Sequence, residues 1–308
     1  MIQFKQLSNF GSIVRSLQSW NVDIDKVYQS VLDDNAGNNK IFELLSDDKP
    51  CMISRFGSTE LSAIYHYYLN FGQIKSMRWP NNYKIEMNHL SGLFPADDKT
   101  LSQFCKLFIS HLKSADLMGV WHKPGEAIML KKFAPKAFLT SLHSLEPYYF
   151  KNPWSEILEG KTVLIIHPFT DTINRQFDNY REKLFKENVL PNFKLTTFKA
   201  VQSLGTSETN FSNWFEAYEF MCKEITTKDF DIAIIGAGAY GLPLASFIKS
   251  IGKKAVHLGG ATQILFGIKG KRWDDHPIIS LLYNDFWTRP SILETPAEEN
   301  RPEEGCYW

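Results

Sequence analysis

Six short segments carry the side chains best suited to binding an anion or moving a proton. Ser54-Arg55-Phe56-Gly57-Ser58-Thr59-Glu60-Leu61 places a guanidinium, a glycine, two hydroxyls and a carboxylate side by side. Arg55 is suited to clamp a phosphate through two parallel N–H bonds. Gly57 permits a tight turn, and Ser58 and Thr59 fall where a helix start presents free backbone N–H groups to an anion. Glu60 has two roles open to it. With Gly57 as N-cap it sits at N3, where a carboxylate caps the helix and favours its dipole; facing a cleft, it would act on a ligand. Gly236-Ala237-Gly238-Ala239-Tyr240-Gly241 is a GxGxxG run, a pattern that lets backbone approach a phosphate and also lets a helix pack closely on a strand. Gly259-Gly260-Ala261-Thr262-Gln263 offers two more glycines followed by polar side chains. Lys269, Lys271 and Arg272 form a basic loop able to neutralise a diphosphate or simply to face solvent, with Asp274 beside it. His167-Pro168-Phe169-Thr170 and Gly205-Thr206-Ser207-Glu208 complete the set; a histidine at a strand end is a candidate phosphate ligand or general base.

These segments need elements to hold them at one place. Short continuous apolar runs precede most of them: Met52–Ile53, Leu117–Val120, Thr162–Ile166, Leu195–Val201, Asp231–Ile235 and Ala255–Leu258. Helical spacing follows all of them but Leu117–Val120, over Leu61–Leu69, near Asn174–Glu187, Asn213–Glu224 and Leu242–Ile251, and briefly near Thr262–Phe266, with a further helix over Lys99–Lys113 ahead of Leu117–Val120. Strands that are apolar throughout and alternate with helices predict parallel strands buried on both faces and joined by right-handed crossovers. The expected fold is therefore α/β: a Rossmann-like, doubly wound, mainly parallel sheet with helices on both faces. In such a sheet ligands bind beyond the carboxyl ends of the strands, where every candidate segment falls. Residues 1–48 read as a helical N-terminal extension, 49–285 as the α/β domain with a sub-boundary near 147–160, and 286–308 as an extended, acidic and Pro-rich tail whose Cys-Tyr-Trp end docks back on the body.

Composition narrows the function. Lys plus Arg and Asp plus Glu both number 34, so net charge is zero and bulk electrostatic attraction to nucleic acid is not expected. The four cysteines are scattered, as in a chain of reduced thiols, and the opening residues lack the apolar core of a secretory signal; a cytoplasmic location is expected. No apolar run approaches the roughly 20 residues that span a bilayer, although Phe4, Phe10, Ile13, Val14 and Leu17 could make a weak apolar face for peripheral membrane contact. HExxH, zinc spacings, GxSxG and the Walker sequence are all absent, which disfavours zinc hydrolases, α/β-hydrolases and P-loop NTPases. The place where a dinucleotide site wants a ribose carboxylate holds Val256-His257-Leu258-Gly259-Gly260, which argues against an NAD-dependent enzyme. Aromatic residues make up 14% of the chain, enough both for a dense core and for surfaces that stack on sugar rings.

Two segments together resemble one family. Met52-Ile53-Ser54-Arg55-Phe56-Gly57-Ser58-Thr59-Glu60 is similar to the RFGDGE segment of the GT-D-fold glycosyltransferases, a group first catalogued as a domain of unknown function. The block from Asp231 to Gly260 is similar to that family's last strand–glycine–helix–strand unit. Ile251–Trp273 and the Gly-Cys-Tyr-Trp ending look like bacterial chains found among surface-polysaccharide genes. The resemblance implies a GT-D-like fold over roughly residues 50–275 and transfer of a sugar from a nucleotide-sugar donor, of UDP-hexose type, to a glycan acceptor. It places the donor among Arg55, Gly57, Ser58, Thr59, Thr170, Gly236, Gly238, Tyr240, Gly241, Gly259, Gly260, Thr262, Lys269 and Arg272, with Glu60, His167 and Asp274 as candidate bases. It also implies a divalent ion, Mn²⁺ or Mg²⁺, at a D-x-E motif that falls on Ser58-Thr59-Glu60. Here the first acid is Ser58 and only Glu60 remains, a poor set for a hard cation. Either the ion is held weakly with help from the diphosphate, or its role passes to Arg55 and the Lys269–Arg272 cluster. The alternatives are a non-catalytic binding protein on the same fold and a different nucleotide-binding enzyme.

Overall fold

The computed structural model describes residues 22–70, 78–203, 209–296 and 305–308. The strands are β1 (Val31–Leu32), β2 (Met52–Arg55), β3 (Leu117–Val120), β4 (Phe138–Ser141), β5 (Thr162–His167), β6 (Lys194–Lys199), β7 (Ile232–Ile235) and β8 (Lys254–His257). They form one eight-stranded sheet in the order β1-β4-β3-β2-β8-β7-β5-β6, parallel at every junction. The chain thus builds two halves, β2-β3-β4 running outward to one edge and β5 to β8 filling the other side. They join where Ile53 of β2 pairs with Val256 of β8.

The period-2 alternation of each strand divides the core between two faces. Leu164, Ile166, Ala233, Ile235 and Ala255 point to one side, under the helices Ser58–Asn70, Asp98–Leu112, Trp214–Thr226 and Gly241–Ser250. Val163, Ile165, Ile232, Ile234 and Val256 point to the other, under Asp34–Ser46, Thr170–Leu184 and Thr262–Leu265. Because both faces are covered, β7 and residues Val163–Ile166 of β5 are apolar at every position, which is why they were legible as unbroken runs.

The fold class is the one expected, an α/β protein with helices on both faces of a parallel sheet. One segment differs from its sequence reading, and two others pack against the body. Val31 and Leu32, inside the stretch read as a helical extension, form the edge strand beside β4. That strand has two residues, and β4 ends in Thr140 and Ser141 with Phe138 exposed, so neither carries the apolar run that marks a buried strand. Residues 147–160 hold two short 3-10 turns, Pro147–Tyr149 and Trp154–Leu158, and bury Trp154 completely. The tail also packs: Trp287 lies in the core beside Phe185 and Tyr283, and residues 305–308 return to the body. Residues 1–21, with the candidate apolar face, the Gly205–Glu208 segment and residues 297–304 lie outside the described residues.

Candidate active site

Beyond the carboxyl ends of β2, β3, β8, β7 and β5 lies a cavity of about 420 Å³. Its floor is the loop after β2. Arg55 is the last residue of that strand, and Gly57 opens the helix Ser58–Asn70, with Leu61 N–H donating to the Gly57 carbonyl at 2.9 Å. The Glu60 carboxylate folds back over this helix start: a Cβ on Gly57 would meet Glu60 Oε2 at 1.7 Å. Glu60 therefore touches its own helix N-terminus and also lines the cavity. Burial raises its pKa, against the opposing pull of its own backbone N–H, the Ser91 hydroxyl and Arg55.

Arg55 is held by its surroundings. Its Nε–H donates to the Phe56 carbonyl at 3.1 Å, and its guanidinium lies 4.5 Å over the ring of Trp121. Gly259, at φ 66°, passes 3.4 Å from the guanidinium carbon as measured from where a Cβ would sit; a left-handed backbone this close to a side chain suits glycine alone. Trp121 follows β3, and its indole N–H donates to the same Phe56 carbonyl at 3.0 Å. The loop carrying it includes His122 in the left-handed region, φ 59°. This costly backbone is held by buried Glu126, which accepts from the N–H groups of Trp121 and Lys123 at 3.1 and 3.4 Å. Tyr28 packs on His122 at 4.3 Å.

Two buried histidines flank the cavity. His167 ends β5, and its Nδ1 accepts the Phe169 N–H at 3.0 Å, so the neutral ring carries its proton on Nε2. Burial lowers its pKa to about 3. His257 ends β8, with Nδ1 3.0 Å from Ser54 Oγ, and burial and the Arg55 charge lower it to about 3 as well. The GxGxxG glycines explain themselves against these rings. A Cβ on Gly236 would fall 2.5 Å from His167 Cδ2, and one on Gly241 would fall 2.2 Å from His257 Nε2. Gly236 and Gly238 also line the cavity.

The last wall comes from the far end of the chain. Residues 305–308 are bound to the segment after β8: the Arg272 N–H donates to the Cys306 carbonyl at 3.0 Å and the Lys271 N–H to the Trp308 carbonyl at 3.2 Å. Gln263 Nε2 donates to the Tyr307 carbonyl at 3.1 Å. Tyr307 lies over the Arg272 guanidinium at 4.8 Å, Trp308 meets Phe169 edge-on at 5.9 Å, and both tail aromatics line the cavity with Arg272. Trp308 is anchored through its indole N–H to the Glu294 carbonyl at 3.0 Å.

Of the residues singled out in the sequence, the cavity lining includes Arg55, Gly57, Ser58, Thr59, Glu60, His167, Gly236, Gly238, Gly259, Gly260 and Arg272. Others face elsewhere. Asp274 is held by Arg289 through bonds of 2.8 and 2.7 Å, and Lys269 lies over Tyr283 at 5.0 Å. Tyr240 is stacked on Trp214 at 4.6 Å, Thr170 is buried at the start of its helix, Gly241 packs against His257, and Thr262 lies behind Gly236. Sequence reasoning passed over Trp121, His257 and Gln263 as individual residues. Trp121 and His257 stand at strand ends, the position that flagged the others.

The donor set does not suit a divalent ion. Glu60 is the single acidic side chain among the described lining residues and is engaged at its own helix start, while the basic side chains there include the guanidiniums of Arg55 and Arg272. Among the described residues no three His, Cys, Asp or Glu side chains come together as ligands. A hard cation prefers several oxygen ligands, and this lining supplies one acidic side chain beside two guanidiniums.

Fold and site together define an α/β protein with a cationic, aromatic-walled cavity at the carboxyl edge of a parallel sheet. No family model and no curated protein sequence matches the chain. Two solved structures are similar to it. One is a selenomethionine-substituted structure of domain of unknown function 1792, 12% identical, covering 75% of this chain and 78% of that one, with TM-score 0.44. The other is described by the statement that the highly conserved domain of unknown function 1792 has a distinct glycosyltransferase fold; it is 12% identical, covers 86% of this chain and 92% of that one, and has TM-score 0.46. No helix among the described residues is long and apolar enough to cross a membrane.

Proposed function

We propose that the protein is a glycosyltransferase that moves a sugar from a nucleotide-sugar donor, of UDP-hexose type, to a glycan acceptor in surface polysaccharide or glycoprotein biosynthesis. The observation that carries this reading is the pair of guanidiniums, Arg55 and Arg272, in one cavity with a helix start and four aromatic walls, Trp121, Phe169, Tyr307 and Trp308. Two cations and the N-terminus of the Ser58–Asn70 helix suit a diphosphate. The flat rings suit a base or a sugar.

In the reaction assigned here, an acceptor hydroxyl attacks the anomeric carbon as the bond from that carbon to the diphosphate oxygen breaks. The negative charge that grows on the departing diphosphate is met by Arg55, Arg272 and the start of the Ser58–Asn70 helix. Glu60 takes the acceptor proton; the raised pKa that burial gives it favours a base working near neutrality. His167, with its proton on Nε2, serves as a hydrogen-bond donor.

The test is a panel of UDP-, GDP- and CMP-sugars, read by thermal shift and by donor hydrolysis with and without Mn²⁺. A donor at 100 times its Kd adds about 2.7 kcal/mol to stability. Hydrolysis is expected to vanish in Arg55→Ala and Glu60→Ala and to persist in His143→Ala, a residue on the Leu142–Leu145 helix outside the cavity. A second reading, a binding protein without catalysis, is favoured by the engagement of Glu60 at its own helix start; binding without hydrolysis would select it. No shift with any donor overturns both.

A further inference from the structure

The loop between β3 and the helix Glu126–Phe133 is costly to hold in place. His122, Lys123 and Pro124 are exposed, and the backbone is left-handed at His122, φ 59°, and again at Gly125, φ 83°. A residue with a side chain stays in that region only where its surroundings impose it. Here the imposing group is Glu126, which is fully buried. Although it stands at the first position of its helix, its carboxylate turns back to the loop. Oε1 and Oε2 accept from the Trp121 N–H at 3.3 and 3.1 Å. Oε2 also accepts from the Lys123 N–H at 3.4 Å and the Tyr28 hydroxyl at 3.5 Å. A carboxyl group withdrawn from water is expensive, and what this one fixes in return is Trp121.

Trp121 carries that order to the cavity. Its main chain is tied to Glu126, its indole N–H donates to the Phe56 carbonyl at 3.0 Å, and its ring lies 4.5 Å from the Arg55 guanidinium. The Arg55 Nε–H donates to that same carbonyl at 3.1 Å, and both residues line the cavity. One ring and one carbonyl thus set the plane of the guanidinium. With Nε engaged, the two Nη groups are the edge that can grip an anion through parallel bonds. We propose that Glu126 is a positioning residue for anion binding: by holding the Trp121 backbone it holds the ring on which Arg55 rests. This rests on the donor reading given above and adds to it the residue that orients its arginine. Glu126 itself is not part of the cavity lining, so it acts through Trp121.

The experiment is a double-mutant cycle on the dissociation constant for a nucleoside diphosphate, the tightest-binding of UDP, GDP and CDP, measured by calorimetry on the full chain. Glu126→Gln keeps the size of the side chain but gives up its charge and one acceptor oxygen. It should weaken binding by about 2- to 30-fold, the range for losing a cation–π contact. In an Arg55→Lys background no planar guanidinium is left to orient, and the same substitution should change affinity by less than about 2-fold. Glu126→Asp keeps the charge but falls one methylene short of the loop, and should show the same dependence on background. Trp121→Leu removes the ring and leaves the carboxylate in place; adding Glu126→Gln to it should bring no further loss. Urea unfolding selects conditions in which each variant is folded, so a purely structural cost appears equally in every background and drops out of the cycle. Equal losses with Arg55 and with Lys at that position, a further loss on top of Trp121→Leu, or unchanged affinity in both Glu126 variants overturns the inference and leaves the donor reading standing. Failure of both Glu126 variants to fold makes the residue a structural one and overturns it as well. A wild type that binds none of the three diphosphates overturns the donor reading together with the inference.

Discussion

Glu294 provides a stringent test of how the tail is tied to the site. It lies in the segment read from sequence as an extended acidic tail, yet it is only 5% exposed. Its carboxylate accepts from the N–H of Asp171 at 2.8 Å, the N–H of Thr172 at 3.3 Å, the hydroxyl of Ser291 at 3.0 Å and the hydroxyl of Thr172. It thereby caps the helix Thr170–Leu184, which has no cap from its own N-terminal neighbour Phe169. In Glu294→Ala the helix loses a cap worth about 0.5–2 kcal/mol and a charge–dipole interaction of about 0.3–1 kcal/mol, and two buried N–H groups lose their partner. These contributions overlap, so the net loss should be about 2–3 kcal/mol. Glu294→Gln keeps an acceptor and gives up the charge, so it should lose about 1 kcal/mol. In a chain of this size each 1 kcal/mol moves Tm by roughly 2–3 °C, giving about 4–9 °C for alanine and 2–3 °C for glutamine. Urea unfolding read by far-UV circular dichroism would supply the free energies. Because the carboxylate is buried, the difference should persist in high salt, where exposed ion pairs fade. The Trp308 indole binds the backbone carbonyl of residue 294 and not its side chain, so the near-UV signature of the docked tail should survive both substitutions below the transition. An alanine variant within about 0.5 kcal/mol of wild type, or a glutamine variant no better than alanine, would refute the capping argument.

Gly236→Ala and Gly241→Ala should each lower stability by about 1–3 kcal/mol or prevent folding, because the new methyl falls within 2.5 Å of His167 and 2.2 Å of His257 respectively; thermal unfolding checks this. Arg55→Lys should weaken donor binding at least about 10-fold by calorimetry, since an ammonium neither stacks on Trp121 as a plane nor grips phosphate with two parallel bonds. For pH, the unfolded histidines take up protons near 6.5 while folded His167 and His257 stay neutral until about 3. The unfolded chain therefore binds more protons between those values, and stability falls as pH drops from 6.5 toward 3, by up to about 1.4 kcal/mol per pH unit for each ring. Replacing either histidine with Gln should flatten that slope in urea titrations. Chelation with EDTA should leave donor affinity unchanged if, as proposed, the Arg55 and Arg272 guanidiniums that line the cavity meet the diphosphate; a large loss on chelation would contradict the charge argument.

The sequence by itself determined the fold class and pointed to the edge of the sheet where the cavity lies. Runs such as Val163–Ile166 and Ile232–Ile235 are apolar at every position only because both of their faces are covered, and that signature needs no partner to be read. Arg55, Gly57 and Gly259 were legible for a related reason: a strand end followed by glycine is a local pattern. Which charges would share a cavity was not local. Arg272 faces it while Lys269 does not, a division set by the ring of Tyr307 thirty-five residues further along the chain. Asp274 reads as a candidate base until Arg289 is found beside it. Helix Thr170–Leu184 begins earlier than its periodicity suggests because its cap arrives from Glu294, a residue no local rule connects to it. The unpartnered oxygen of Gln263 exists only after two distant carbonyls have claimed its nitrogen. Periodicity and turn chemistry are properties of neighbouring residues and survive in the string of letters; the orientation of an amide, the pairing of a charge and the burial of a carboxylate depend on which segments packing brings together, and only the tertiary structure decided them.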